Sequence, residues 1–212
     1  MIYTGTFNPA VDYIMQTDEF VSGKTNRSFK EEIYFGGKGI NVSVVLKELE
    51  IDSVAMGYVA GFTGEAIEKG IREKGIITDF VHLTDGVSRI NVKIKSGEET
   101  ELNGQGPDVP KEAAEELFSK LDGLNCGDTV ILAGSVPESM PQDTYEKIMQ
   151  RFSGRGIRFV VDATGELLLN VLKYKPFLIK PNNQELSEIF GCDIKSAEDV
   201  VKYAKELKGM GA

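Results

Sequence analysis

At 212 residues, 41% hydrophobic and 27% charged, the chain is long enough for one substantial core and too ordinary in composition for a disordered or collagen-like protein. Its formal net charge of −9, with Lys and Arg scattered among Glu and Asp, argues against a nucleic-acid partner, because an acidic surface repels phosphodiester backbones. No apolar run approaches the roughly 18 residues of a membrane helix, no secretory signal precedes the first strand pattern, and Cys126 and Cys192, in no metal-ligand spacing, read as reduced thiols of a cytoplasmic protein.

Apolar periodicity alternates between strand and helix along the chain. Residues 2–7 predict a first strand, ending at Asn8-Pro9-Ala10-Val11-Asp12. Residues 13–15 and 27–34 read as strands with no helix between them. The spacing of Ile40, Val44, Val45 and Leu49 predicts a helix, followed by a strand at 53–59. A helix over 65–74 takes Thr63 as its N-cap, and a short strand at 80–83 carries the single His82 in a structural role. Residues 88–95 and 98–103 form a hairpin across Ser96-Gly97, with Ile90, Val92 and Ile94 on one face and Arg89, Asn91 and Lys93 on the other. Further units follow: helix 110–121, strand 129–133, helix 141–152, strand 157–162, a short helix near 166–172 and strand 177–180. Helices 183–190 and 197–207 end the series. The doubly apolar strands Val130-Ile131-Leu132 and Phe159-Val160-Val161 predict a mainly parallel α/β sheet flanked by helices. The segments near 11–35 and 88–104 interrupt that one α/β domain as a small antiparallel sheet, either a solvated edge or a lid over a site.

Three motifs can carry chemistry. Gly36-Gly37-Lys38-Gly39-Ile40-Asn41 precedes a helix, where adjacent glycines let a ligand approach the backbone N–H groups and the helix N-terminus favours an anion. The spacing matches neither a Walker A loop nor a dinucleotide fingerprint. Lys180-Pro181-Asn182-Asn183-Gln184-Glu185 lies at the carboxyl end of a buried strand, where Lys, Asn and Glu suit phosphate oxygens and Mg²⁺. The same residues also read as a capping box from Asn182 to Glu185. Asp12, at the end of the first strand, suits sugar hydroxyls because a carboxylate only accepts, although Asn8-Pro9 by itself suggests a turn.

In chain order these motifs, with Gly134-Ser135-Val136-Pro137 and Asp162-Ala163-Thr164-Gly165-Glu166, resemble the PfkB sugar-kinase family of ribokinase-like fold over the whole chain. Arg89-Ile90-Asn91-Val92-Lys93 and residues 99–107 most resemble its members that phosphorylate fructose 1-phosphate, and the tagatose-6-phosphate kinases share most of the pattern. The resemblance implies ATP- and Mg²⁺-dependent transfer to the 6-hydroxyl of fructose 1-phosphate. It assigns Asp12, Gly37, Lys38, Asn41, Arg89 and Asn91 to the sugar phosphate, with Lys24 and Arg27 contributed from the lid of a second subunit in a homodimer. Lys180 and Asn182 fall on the nucleotide side, and Glu185 in the Mg²⁺ network. The family's catalytic Asp lies in a Gly-Ala-Gly-Asp motif that these residues lack, so the chain reads as a kinase without its last third, its base expected beyond residue 212. A non-catalytic sugar-phosphate-binding protein on the same fold is the other functional class.

Overall fold

Ten strands and seven α-helices are laid out along residues 1–212, all of which the structure, a computed structural model, describes. The strands are β1 (Ile2–Thr6), β2 (Ala10–Gln16), β3 (Lys30–Gly36), β4 (Ser53–Ala60), β5 (Ile77–Leu83), β6 (Arg89–Ser96), β7 (Glu98–Asn103), β8 (Thr129–Ala133), β9 (Arg158–Asp162) and β10 (Leu178–Ile179). The helices are α1 (Lys38–Glu48), α2 (Gly61–Glu73), α3 (Lys111–Leu121), α4 (Thr144–Arg151), α5 (Gly165–Leu169), α6 (Asn183–Phe190) and α7 (Ala197–Met210).

The larger sheet is parallel throughout, in the order β10-β9-β8-β1-β4-β5. From β1 the chain builds outward through β4 to β5, then returns to the other side of β1 and builds through β8 and β9 to β10. Growth therefore reverses between β1 and β8, and in open α/β sheets the crevice beyond the carboxyl ends at such a reversal is where ligands bind. Side chains on both faces of β4 are buried, Ala55 and Val59 on one and Met56 and Tyr58 on the other, as helices on either side require.

Behind the crevice, Phe7 meets the rings of Tyr58 and Tyr145 edge-on, at centroid separations of 5.7 and 5.4 Å. Tyr145 donates its hydroxyl to the Gly134 carbonyl at 3.0 Å, whereas the buried Tyr58 hydroxyl has no partner. Burial raises the pKa of the Tyr58 phenol above its usual value, so it stays neutral. Tyr58→Phe removes a desolvated, unpaired group and is expected to stabilise the protein by about 1 kcal/mol in urea denaturation. A clear loss of stability would mean that the hydroxyl has a partner after all.

α1 departs from its apolar pattern. Val45 and Leu49 are exposed, and the buried face is made by Gly39, Ile40 and Ser43. At Gly39 and Ser43 the helix lies so close to β1 that only small residues fit, while Ile40 between them fills the core. Ser43 Oγ sits 2.6 Å from Thr4 Oγ1 and accepts from Ser53 Oγ at 2.9 Å. Thr63 is not an N-cap either: α2 begins at Gly61, and Thr63 in its first turn donates to the Ser88 carbonyl at 2.7 Å.

The second sheet, ordered β3-β2-β6-β7, joins the two strand pairs that interrupt the α/β rhythm. It is mixed rather than antiparallel throughout: β2–β3 and β6–β7 are antiparallel, but β2 and β6 run parallel, Ala10 opposite Arg89 through Gln16 opposite Lys95. The reason is topological. β2 and β6 each leave the carboxyl end of a strand of the parallel sheet, β1 and β5, and so set out in the same direction. Directly opposed residues share a face, so Val11, Tyr13, Ile33, Phe35, Ile90, Val92 and Leu102 form one apolar face. Phe35 at its base packs where a side chain on Gly70 of α2 would otherwise stand. Asp12, Asn91 and Lys93 lie on the opposite, polar face.

Candidate functional site

Gly37 carries the chain from the second sheet into α1. Its φ of 132° and the Thr6 methyl group, into which a Cβ would run, leave room only for glycine. The turn brings the head of α1 against the end of β1, where Thr6 Oγ1 accepts from the Ile40 N–H at 2.8 Å. The N-cap residue, Gly37, has no side chain, so the N–H groups of Lys38 and Gly39 remain available to an anion.

Around that helix head the structure assembles groups from five strand ends. Asp12 Oδ1 accepts from Asn91 Nδ2 at 2.8 Å across β2 and β6, and Asp12 stands beside Gly36 together with Asn41 of α1. Arg89 Nε donates to the Asn8 carbonyl at 3.0 Å, which fixes the guanidinium while leaving its terminal nitrogens unbonded. Burial lowers the Arg89 pKa and the nearby Asp12 carboxylate raises it; the group stays charged. Asn8, Gly37, Lys38, Arg89, Gly134 and Ser135 line a cavity of about 130 Å³ between these elements. Lys93, on the same face, turns instead to Glu101 of β7 at 3.0 Å. Lys24 and Arg27 are not part of this cluster: Arg27 lines a separate cavity with Met15, Phe20 and Ile94 at the far end of the second sheet, and Lys24 lies in the β2–β3 connection beside it.

The other half of the crevice holds two carboxylates and two lysines. Asp162, at the end of β9, faces Lys38 Nζ at 3.2 Å through Oδ1 and Lys180 Nζ at 3.4 Å through Oδ2. Glu185 Oε1 lies 3.8 Å from Lys38 Nζ. Glu185 Oε2 accepts from the Asn182 N–H at 2.8 Å, while Asn182 Oδ1 accepts from the Glu185 N–H at 2.9 Å. The capping box is thus formed, and it still leaves Asn182 Nδ2 and Glu185 Oε1 directed to other uses. No group of three or more His, Cys, Asp or Glu side chains is placed to hold a metal ion. Two carboxylates with hard oxygen donors nevertheless fit Mg²⁺ held mainly by phosphate oxygens and water, since that ion keeps several waters and takes only one or two protein carboxylates beside a nucleotide.

Asn8, Ser135 and Asp162 are the site residues that sequence reasoning did not assign. Asp162 ends β9, and Asn8 and Ser135 stand just beyond β1 and β8, so the rule that ligands gather at carboxyl strand ends was the signal available for them.

Residues 4–212 match the model of the pfkB family of carbohydrate kinases. The whole chain is 49% identical, over 212 residues, to a 1-phosphofructokinase of Bacillus subtilis, covering 70% of that protein. It is 37% identical, over 213 residues, to a D-tagatose-1-phosphate kinase of Bacillus licheniformis, again covering 70% of it. Among solved structures, phosphofructokinase-2 of Escherichia coli in complex with fructose-6-phosphate superposes with a TM-score of 0.91 at 25% identity, over 99% of this chain and 70% of that one.

Proposed function

The chain belongs to the pfkB family of carbohydrate kinases, with curated sugar-phosphate kinases as its relatives, and from that premise we propose that its crevice serves the ATP-dependent phosphorylation of fructose 1-phosphate to fructose 1,6-bisphosphate. The fold is the ribokinase-like one; on the reading proposed here the second sheet is a lid inserted in a single cytoplasmic kinase domain.

One observation carries the reading: the head of α1 lines a cavity together with Lys38 and Arg89, with the Asp12 carboxylate near Arg89 and the Asp162–Lys180 pair at Lys38. Asp12, held by Asn91, accepts hydroxyls of the sugar, with Asn41 alongside. Arg89 and the head of α1 neutralise the phosphate already present. Lys180 and Asn182 meet the nucleotide phosphates, and Glu185 with Asp162 would hold Mg²⁺. ATP supplies the phosphoryl group and Mg²⁺ offsets its charge when bound. The residues' share of the work is positioning and charge stabilisation, which is most of what phosphoryl transfer asks of a protein. No catalytic base is assigned within residues 1–212. Asp12 is bonded to Asn91, Asp162 is held between two lysines, and Glu185 is shared between its cap and Lys38.

The test is a product assay on the chain joined to the unmatched remainder of the Bacillus subtilis relative, beside the 212-residue chain alone. The joined protein is expected to form fructose 1,6-bisphosphate from ATP and fructose 1-phosphate. The chain alone is expected to turn over at least about 10²-fold more slowly, the share a positioned base contributes. Faster turnover of tagatose 1-phosphate or tagatose 6-phosphate would reassign the substrate; the former is favoured by the 37% identity to a kinase of that name.

We further propose a homodimer formed by the apolar faces of two lids, which brings the partner's copies of Lys24 and Arg27 to the crevice. Ile33, Ile90 and Leu102 are 58%, 39% and 73% exposed on that face, and covering them removes apolar area from water. Sedimentation at micromolar concentration is expected to show a dimer, and Leu102→Glu a monomer. A monomeric parent protein would overturn the pairing.

A further inference from the structure

Lys38 belongs to both halves of the crevice. Its backbone opens α1 and its stem lines the cavity shared with Asn8, Arg89 and Ser135. The stem runs alongside Gly134, 3.7–3.9 Å from where a Cβ would stand. Its ammonium, however, is paired with carboxylates that do not line the cavity. It reaches to Asp162 at 3.2 Å and Glu185 at 3.8 Å. Those carboxylates are 14% and 10% exposed, while Lys38 is 45% exposed, so the lysine is the freer partner.

We propose that Lys38 is a movable internal counter-ion that couples the two halves. With no anion in the Arg89–Ser135 cavity, its ammonium sits on Asp162 and Glu185 and opposes a divalent cation there. A dianion in the cavity draws the ammonium across and frees Glu185 Oε1 and Asp162 Oδ1, while Lys180 stays beside Asp162 Oδ2. Coulomb repulsion between an ammonium and a divalent ion a few ångströms apart is large even when half screened by water. Linkage then requires the effect to be reciprocal, the divalent ion strengthening binding of the dianion by the same factor. The inference rests on the assignment of Asp162 and Glu185 to the metal–nucleotide side, but not on the identity of the sugar.

The experiment is Mn²⁺ binding to the 212-residue chain, followed by electron paramagnetic resonance of the free ion, with no nucleotide present. Two dianions serve as probes, sulfate and fructose 1-phosphate, each compared with chloride at equal ionic strength. Lys38→Gln is expected to bind Mn²⁺ about tenfold more tightly than the parent chain in chloride. The parent is expected to gain a similar factor from either dianion, and Lys38→Gln to gain almost none. Lys38→Arg, which keeps the charge, restores the parent's weak binding and its response. Lys47→Gln, which removes a remote charge paired with Asp52, leaves Mn²⁺ binding unchanged. Equal Mn²⁺ affinity in the parent and Lys38→Gln, a dianion gain that survives in Lys38→Gln through direct ligation of the metal, or no Mn²⁺ binding by either protein would overturn the coupling. A response to sulfate without one to fructose 1-phosphate supports the coupling and removes the sugar assignment instead.

Discussion

Arg89→Ala is expected to weaken binding of fructose 1-phosphate by about 2–5 kcal/mol, a loss of roughly thirtyfold to several thousandfold in Kd, because it strips the charged partner from a desolvated phosphate. The guanidinium is fixed rather than free: its Nε–H donates to the Asn8 carbonyl, and the buried setting excludes much of the water that would otherwise substitute for it. Lysine at this position restores a point charge without that Nε–H, so Arg89→Lys should recover only part of the affinity. Titration calorimetry of the 212-residue chain measures both, and unchanged thermal stability of the variants separates lost binding from lost structure. Affinity for the sugar phosphate unaltered by Arg89→Ala would remove this residue from the site.

A comparable effect on stability is expected at Gly39. A Cβ there would strike the Gly5 carbonyl and Thr6 Oγ1, both on β1 in the middle of the parallel sheet, where β4 and β8 hold the strand on either side. Neither the strand nor the helix can give way cheaply, and the Ile40 N–H bond to Thr6 Oγ1 goes with the displacement. Gly39→Ala should cost about 3 kcal/mol, at the upper end of overpacking penalties. It should also weaken sugar-phosphate binding, since it pushes the head of α1 away from the cavity. The contrast is Gly209→Ala in α7, where nothing lies within 4 Å of the added carbon. There the better helix former should stabilise by about 0.5–1 kcal/mol. Urea denaturation of the two variants distinguishes a steric role for Gly39 from a generic glycine effect, and equal stabilities would refute the steric one.

Local chemistry makes part of this site readable in the amino-acid sequence. The glycines of 36–39 announce a backbone that something must approach, and Asn182 with Glu185 announces a helix start; the turn and the cap both form at those residues. The Arg89/Asn91 face is readable because strand alternation has a period of two, and Asn91 meets Asp12 as that alternation implies. Asp162 and Ser135 are harder. Their position depends on β8 lying beside β1 and β9 beside β8, and the pairing of β8 with a strand as distant in sequence as β1 leaves no local trace. The same limit hides the parallel pairing of β2 with β6. In α1 the mismatch has another cause. Hydrophobic periodicity looks for large side chains, whereas this helix is buried through Gly39 and Ser43, whose value is that they are small. Val45 and Leu49 supply an apolar rhythm on a face that the structure leaves to water.

The parallel pairing of β2 with β6 has a mechanical consequence. Because both strands rise from the larger sheet and both partner strands return to it, the smaller sheet stands on four legs: residues 7–9, Gly37, residues 84–88 and residues 104–110. The legs are braced against one another. Asn8 in the first donates to the Gln105 carbonyl in the fourth at 2.9 Å and accepts from Arg89 at the top of the third. Ser88 accepts from the Ala60 N–H at 3.0 Å and so pins the third leg to the foot of α2. A plate on one leg can swing like a door; a plate on four cross-braced legs can only rock through a small angle or shear. The lid closure proposed above would therefore be a tilt of the whole sheet, with Asp12, Arg89 and Asn91 arriving together at fixed spacing, and the energy of that tilt would be stored in the bending of the legs rather than in any single hinge.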